Sequence, residues 1–306
     1  MVSNIARPGE LGAARTCARG MLGLLLSVLM LPVAAYDGKL HQQLTFIAAR
    51  QFNDCAHQYP HVTRFSALDT RYIVRANVSQ ADSSVFVRMF RWNYYNRADQ
   101  TNRSSLGLID TRFHKHFESV VDDTRWSVDR QKRLKNLGRI LNYIQDMTAP
   151  ARVVPVYTGR WWRLSLGDRF ERYPLQPEQV TAAVEDMCEE ILSTSASFQE
   201  VLQDTASRTL SAVQAPIFGF PATWEAYWQL ARDPEDFGEY GPAGNNFGDR
   251  TGFRCGDGER CLLLKDDPLY QDFATARHID AVVATLRAMA LMQLAEAERV
   301  DQTTAR

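Results

Sequence analysis

Two polar residues share one helix face near the middle of the sequence. Asn142 and Asp146 lie four residues apart in a segment whose leucines and isoleucines recur at helical spacing, which places both side chains beside an apolar stripe. Arg152 follows shortly afterwards, and Asp168 and Glu171 come next. A carboxylate beside an apolar stripe needs a compensating charge, which a metal ion or an arginine can supply. The sequence therefore predicts a buried polar centre at this helix.

Helices are the elements expected to position these residues. Apolar residues recur at helical spacing in six segments, and no convincing run of alternating residues indicates a sheet. The six segments are Leu40–Cys55, Leu68–Val85, Gln131–Met147, Pro177–Leu192, Phe198–Val213 and Asp267–Val300. Asp236–Gly258 is rich in glycine and polar residues and is predicted to be a long loop. We therefore expect an all-α protein with a single multi-helix domain.

The order of these motifs resembles the zinc-dependent phospholipase C and single-strand-specific nuclease superfamily. LGRILNYIQDMTAPARVVPV, followed by GDRFERY, is similar to the metal-binding core of that family. There, a helix reading His-Tyr-x-x-Asp precedes a proline and a histidine. The resemblance implies an exported all-helical fold with a three-zinc cluster. It also implies a phosphoesterase that cleaves phosphodiester or phospholipid ester bonds with a metal-activated water.

The resemblance also implies a set of metal ligands. Asp146 and Glu171 match carboxylates of the family, and Asp168 is a candidate for orienting the attacking water without binding the metal. These three residues are the catalytic candidates. The implied metal ligands are the amine of Tyr36, His41, Asp82, Asp146, Glu171 and Asn142.

Four positions depart from the family pattern, because they hold other residues where the family has histidine. These positions are Asn93, Asn142, Arg152 and Gly167. An amide oxygen is a poor zinc ligand, and a guanidinium cannot bind a metal because it stays protonated and has no free lone pair. In the family geometry Arg152 would lie among three carboxylates.

Three interpretations follow from these substitutions. In the first, an Arg152–carboxylate cluster replaces the zinc site in a non-catalytic binding or structural protein, a pseudoenzyme. In the second, a reduced site still holds one zinc or manganese ion and hydrolyses phosphate esters. In the third, the resemblance is limited to the fold and these polar residues lie on ordinary helix surfaces.

The N-terminus is typical of a secretory leader. Met21–Ala35 is apolar, follows three arginines and ends in Val-Ala-Ala. Its fifteen residues are fewer than the roughly 20 that a membrane span needs. We expect a signal peptide over residues 1–35, cleavage after Ala35 and one domain over residues 36–306. This predicts a periplasmic or secreted protein without a transmembrane span.

Four cysteines remain after the predicted cleavage, namely Cys55, Cys188, Cys255 and Cys261. An even number in an exported protein indicates disulfides. Cys255 and Cys261 flank a flexible Gly-Asp-Gly segment that suits a small loop, which would leave Cys55 to pair with Cys188. Three pairings are possible in principle. A zinc site formed by the four thiols is disfavoured, because the sequence has no CxxC pair.

The net charge and the absence of known motifs exclude several classes of ligand and activity. The formal net charge is −1, with 35 basic and 36 acidic residues, so there is no electrostatic argument for duplex DNA binding. No serine-hydrolase elbow, HExxH, P-loop or dinucleotide fingerprint occurs. A phosphate-ester substrate or another anionic ligand remains the expected partner. The histidines other than His41 show no matching carboxylate pattern and are interpreted as surface residues.

Overall fold

The fold is mostly helical. A computed structural model describes residues 38–59, 62–81, 92–97, 110–156, 167–193, 196–234, 236–256 and 258–304. It contains 62% helix and 9% strand, which confirms the expected class at the level of a predominantly helical protein. The predicted leader, Tyr36 and Asp82 lie outside the described residues.

Among the described residues, the four short strands all lie between the last two α-helices of the chain. The α-helices are α1 (Gly38–Gln58), α2 (Ala67–Ala81), α3 (Phe113–Trp126), α4 (Arg130–Asp146), α5 (Pro150–Val153), α6 (Pro177–Val184), α7 (Cys188–Leu192), α8 (Phe198–Gln214) and α9 (Pro268–Thr304). The strands are β1 (Trp228–Gln229), β2 (Glu239–Tyr240), β3 (Thr251–Cys255) and β4 (Glu259–Leu263). Short 3-10 turns lie at Phe170–Arg172 and Trp224–Ala226.

Helix α4 forms the centre of the fold. Asp129 caps its N-terminus by accepting the backbone N–H of Gln131 at 2.9 Å. From Asn136 onward nearly all of its residues are buried, so the helix is enclosed by neighbours rather than lying on the surface. Its closest neighbour is α2, where a methyl group at Gly138 would collide with the carbonyl oxygen of Ile73. Glycine is therefore required for this close approach.

The long helix α9 completes the core by packing against α1, α4, α6 and α8. Its segment Pro268–Ala297 is long and apolar enough to cross a membrane by length and composition. In this structure 67% of its apolar stretch is buried inside the protein, as is typical of the core helix of a globular domain.

Two antiparallel strand pairs correct the sequence prediction. The predicted loop Asp236–Gly258 contains β2 and β3, so that prediction is wrong for these segments. Strand β3 has the burial pattern of a half-buried strand, with Thr251, Phe253 and Cys255 inward. It pairs with β4, and β1 pairs with β2. The segments are too short for their alternation to stand out in the sequence.

Two helical predictions also need correction. Helix α3 is missing from the predicted helices, although Phe113, Phe117, Val120 and Val121 recur at helical spacing. The predicted helix Pro177–Leu192 is two helices, α6 and α7, separated at residues 185–187. A disulfide joins Cys55 of α1 to Cys188, the first residue of α7, with the two Cα atoms 5.2 Å apart. A second disulfide joins Cys255 to Cys261 across the β3–β4 turn.

Candidate functional site

A buried imidazole at the centre of the core is held in one tautomer. His41, on α1, is fully buried, and its Nδ1 lies 2.7 Å from Oε1 of Gln145 on α4. The amide nitrogen of Gln145 donates to the hydroxyls of Thr45 and Thr285, at 3.1 and 3.0 Å, so the amide oxygen acts as acceptor. The Nδ1 atom of His41 therefore carries a proton, and Nε2 faces Asn142 and Asp146. The buried polar cluster that these residues form with Arg152, Asp168 and Glu171 is called the centre below.

The Nε2 atom of His41 lies beside an amide and a carboxylate. Nδ2 of Asn142 approaches it at 3.3 Å and Oδ1 of Asp146 at 3.5 Å. The Asn142 amide also donates to Oδ1 of Asn77 at 3.1 Å. Asp146 is buried, and its Oδ1 has no hydrogen-bond partner among the described residues. This part of the centre thus keeps one imidazole nitrogen and one carboxylate oxygen close together.

Arg152 is the cation of the centre. It lies in α5, and its Nε donates to Oε1 of Glu171 at 2.9 Å, while its Nη1 donates to the backbone carbonyl of Asn93 at 3.0 Å. The side chains of Arg152 and Glu171 are 14% and 3% exposed. The backbone carbonyl of Arg152 in turn accepts the N–H of Tyr95 at 2.8 Å. The guanidinium is therefore held inside the protein rather than presented to solvent.

Asp168 is surrounded by hydrogen-bond donors. Its Oδ1 accepts the backbone N–H of Phe170 at 2.8 Å. Its Oδ2 accepts the indole N–H of Trp228 at 2.8 Å and the hydroxyl of Tyr240 at 2.9 Å. Trp228 and Tyr240 are direct partners in the β1–β2 register. This strand pair therefore positions both side-chain donors on one carboxylate.

Burial and mutual charge shift the titration of these groups. Burial raises the pKa of the Asp168 carboxyl above its ordinary value, against the effect of its hydrogen-bond donors. Burial also raises the pKa of Glu171, and the neighbouring Arg152 opposes that shift. For Arg152, burial acts to lower the pKa, but the nearby carboxylates outweigh it and the pKa is raised. Those carboxylates are Glu171, Asp146 and Asp168.

The centre holds more carboxylates than cations. With the three carboxylates ionised and Arg152 charged, the formal sum is −2, from three negative charges and one positive charge. Burial is the main cause of the raised pKa values of Asp168 and Glu171, and for Glu171 the neighbouring carboxylates of Asp168 and Asp146 raise the pKa further. The excess is relieved when the centre takes up protons or a further cation.

The structure brings together most of the residues that the sequence singled out. The residues that converge on the centre are His41, Asn142, Asp146, Arg152, Asp168 and Glu171. Asn93 joins through its backbone carbonyl, and its Oδ1 is buried without a partner among the described residues. Gly167 precedes Asp168, has a positive φ of 118° and accepts a hydrogen bond from Asn245. Asp82 and Tyr36 lie outside the described residues.

Several residues of the centre were missed by sequence reasoning. They are Thr45, Asn77, Gln145, Trp228, Tyr240 and Thr285. Gln145 had a detectable signal, because it lies three residues after Asn142 on the same helix. Trp228 and Tyr240 had none, since their role depends on strand pairing. The interpretation of the other histidines as surface residues is wrong for His114 and His278, which are both buried.

The donor set for a metal is incomplete in the described part of the chain. His41 and Asp146 retain ligand chemistry, whereas Glu171 is bound by Arg152 and Asp168 by three donors. Within those residues no three His, Cys, Asp or Glu side chains are grouped to hold one ion. Zinc normally takes three or four protein ligands. Zinc binding through Tyr36 and Asp82 stays a prediction.

Comparisons with known proteins identify no relative. No family model, no curated protein and no solved structure matches this chain.

Proposed function

We propose that this chain is a non-catalytic binding or structural protein in which the Arg152–carboxylate cluster replaces a zinc centre. The scaffold is proposed to be like that of the phospholipase C and nuclease superfamily. The observation that carries the proposal is the hydrogen-bonded ion pair between Arg152 and Glu171, at the position where the resemblance implies a metal. A fixed guanidinium compensates buried carboxylates without a metal ion.

The remaining catalytic candidate also favours this proposal. A carboxylate that orients an attacking water must be accessible to that water. Asp168 is buried, and its two oxygens accept three hydrogen bonds from protein groups, of which two come from the side chains of Trp228 and Tyr240. Asp168 in this arrangement stabilises the strand pair against the helical core. Its role in the proposal is structural.

Export is part of the proposal. The two disulfides, Cys55–Cys188 and Cys255–Cys261, support it because disulfides form and persist in oxidising compartments such as the periplasm or the extracellular space.

Metal content is the experiment that tests the proposal. The full chain is expressed with export into an oxidising compartment, purified without added metal and measured for zinc and manganese by mass spectrometry. The same sample is assayed with bis(p-nitrophenyl) phosphate. We expect no stoichiometric metal and no hydrolysis above buffer. Two or more tightly bound zinc ions, with hydrolysis, would overturn the proposal.

A metal-dependent phosphoesterase with a single ion is the second candidate. The specific observation that favours it is the 3.5 Å distance between Nε2 of His41 and Oδ1 of Asp146, which accepts no hydrogen bond from the described residues. Two ligands of one tetrahedral zinc ion, each at about 2.1 Å, lie roughly 3.4 Å apart. The excess negative charge of the centre also favours a bound cation.

Alanine substitution separates the two candidates. If the protein carries one ion and hydrolyses the phosphodiester, Asp146→Ala must remove both properties while the far-ultraviolet circular dichroism stays unchanged. Asp249→Ala is the matched control, because it removes a carboxylate outside the centre. Undiminished activity in a folded Asp146→Ala protein would exclude the single-ion phosphoesterase.

A further inference from the structure

A cleft of about 380 Å³ lies on the outer side of the turn that carries Glu171. One wall is formed by the segment from Arg169 to Pro174, in which Glu171 is buried and Arg172 is exposed. The other wall comes from the two ends of the β3–β4 hairpin, at residues 247–249 and 265–266. Its volume is at the small end of the range of ligand pockets, about 300–1,000 Å³.

The two walls are fastened together by polar contacts. Nη2 of Arg169 is paired with Oδ2 of Asp249 at 2.6 Å. Asn245 accepts the backbone N–H of Arg169 and donates to the carbonyl of Gly167. The backbone N–H of Asp266 donates to the carbonyl of Gly248 at 3.1 Å, which joins the two hairpin ends. The cleft is therefore pre-formed.

Two cations of the cleft form no ion pair within the described residues. The side chains of Arg172 and Lys265 are exposed and make no hydrogen bond or ion pair with another residue of the described part of the chain. Arg169 and Asp249 neutralise each other, and Asp266 contributes one further carboxylate. The lining therefore carries three positive and two negative charges, a net charge of +1.

Tyr173 adds a neutral donor to the lining of this cleft. Its ring packs edge-on against the buried Phe247, with centroids 5.2 Å apart, and closely over Gly248. Its hydroxyl makes no hydrogen bond within the described residues. Burial raises the pKa of this hydroxyl, and the nearby carboxylates of Asp266, Asp267 and Asp272 raise it further, so the group stays protonated as a donor.

We propose that this cleft binds the phosphate group of a small phosphorylated ligand through Arg172, Lys265 and the hydroxyl of Tyr173. A tetrahedral phosphate has three oxygens that can accept from a guanidinium, an ammonium and a hydroxyl at once, whereas a carboxylate has two. Asp266 disfavours a second anionic group and favours ligands whose remaining part carries hydroxyl donors. A small polyol monophosphate meets both conditions. This site does not use the Arg152 centre, and its test is independent of the proposed function.

Isothermal titration calorimetry on the full exported chain tests the site. The soluble probes are inorganic phosphate and glycerol 3-phosphate, with acetate as the planar anion. We expect saturable binding of the phosphates and weaker binding of acetate. Arg172→Gln and Lys265→Gln are each expected to weaken phosphate binding about tenfold or more, since each removes a charge-assisted hydrogen bond. Tyr173→Phe should weaken it less.

Arg260→Gln is the matched control, because Arg260 is an exposed arginine of the same hairpin that does not line the cleft. It should leave binding unchanged. Equal weakening in Arg260→Gln and Arg172→Gln would overturn the site, because the effect would then be a general one of net charge. Absence of saturable binding would overturn it as well.

A second experiment distinguishes a soluble phosphorylated ligand from a lipid phosphate. Phosphatidylcholine vesicles with and without phosphatidic acid are sedimented with the wild type and with Arg172→Gln. Binding to glycerol 3-phosphate without sedimentation indicates a soluble ligand. Sedimentation that depends on both phosphatidic acid and Arg172 indicates a lipid phosphate. Vesicle binding that survives Arg172→Gln, with no calorimetric signal, would overturn the site.

Discussion

Nε of Arg152 and Oε1 of Glu171 lie 2.9 Å apart, and both side chains are largely enclosed by protein. The two residues come from different elements, α5 and the 3-10 turn at Phe170–Arg172. Exposed ion pairs contribute little to stability, because solvent screens them. In a buried pair, removal of one partner leaves the other charge without compensation. The Arg152–Glu171 pair belongs to the second kind.

Arg152→Met is expected to destabilise the protein by about 3–5 kcal/mol, because Glu171 and the neighbouring carboxylates lose their compensating charge. Urea unfolding monitored by circular dichroism measures the change. Arg208→Met is the matched control, since Arg208 pairs with Asp204 on the exposed side of α8 at 3.1 Å. The control should cost less than about 1 kcal/mol. Similar losses in the two variants would contradict a buried role for Arg152. The double variant Arg152→Met with Glu171→Met should recover most of the stability.

Introducing two imidazoles is expected to create a zinc site. Asn142→His with Arg152→His removes the internal cation and adds two ligands beside His41 and Asp146, which brings the possible ligand count to four. We expect zinc affinity at least about tenfold above that of the wild type, measured by competition with a chromogenic chelator. Asn142→Ala with Arg152→Ala is the control for charge removal alone. If this alanine variant binds zinc equally well, the histidines are not the ligands.

Stability should fall in acid because of His278. Burial lowers the pKa of this imidazole from its ordinary 6.5 to about 4, and neither ring nitrogen has a hydrogen-bond partner in the described residues. The unfolded chain therefore binds a proton between these values while the folded chain does not. This effect is absent above pH 6.5 and destabilises the fold as pH falls toward 4.

His278→Leu is expected to remove this acid sensitivity. The gap in unfolding free energy between the variant and the wild type should widen by about 2–3 kcal/mol from pH 7 to pH 4.5. Urea titrations at the two pH values measure it, and groups common to both proteins cancel in the difference. His57→Leu, at an exposed position, should show no such widening. If the difference in unfolding free energy between His278→Leu and the wild type is the same at both pH values, His278 is not the source of the acid sensitivity.

The two disulfides are expected to differ in their contribution to stability. Cys55–Cys188 closes a segment with a sequence separation of 133, and Cys255–Cys261 closes one of 6. The loss of chain entropy in the unfolded state grows with loop length and amounts to about 5 and about 2.4 kcal/mol for these loops. Double alanine replacement of each pair, compared by thermal unfolding in non-reducing buffer, measures the difference. A larger loss from the hairpin pair would contradict this order.

The helices and the polar centre were predictable to different degrees. The apolar stripe of α4 predicts where the helix begins and ends to within one residue. The spacing of Asn142 and Asp146 predicts that they lie on the same helix face. The strands β1 and β2 were not predictable, because two-residue strands have no periodicity of their own. The two side-chain hydrogen bonds that this strand pair directs to Asp168 were therefore not predictable either.

The sequence by itself determined most of the helical segments, the bounds of α4 within one residue and the shared face of Asn142 and Asp146. These properties depend on residues three or four positions apart, so the spacing of residues along the sequence is enough to predict them. The tertiary structure alone decided that Gln145 holds the tautomer of His41 across a sequence separation of 104, and that Arg152 binds Glu171 and the carbonyl of Asn93. Such pairs form between elements that are distant in sequence. They depend on how whole helices and strands pack, because buried polar groups must find their partners wherever the packed chain places them.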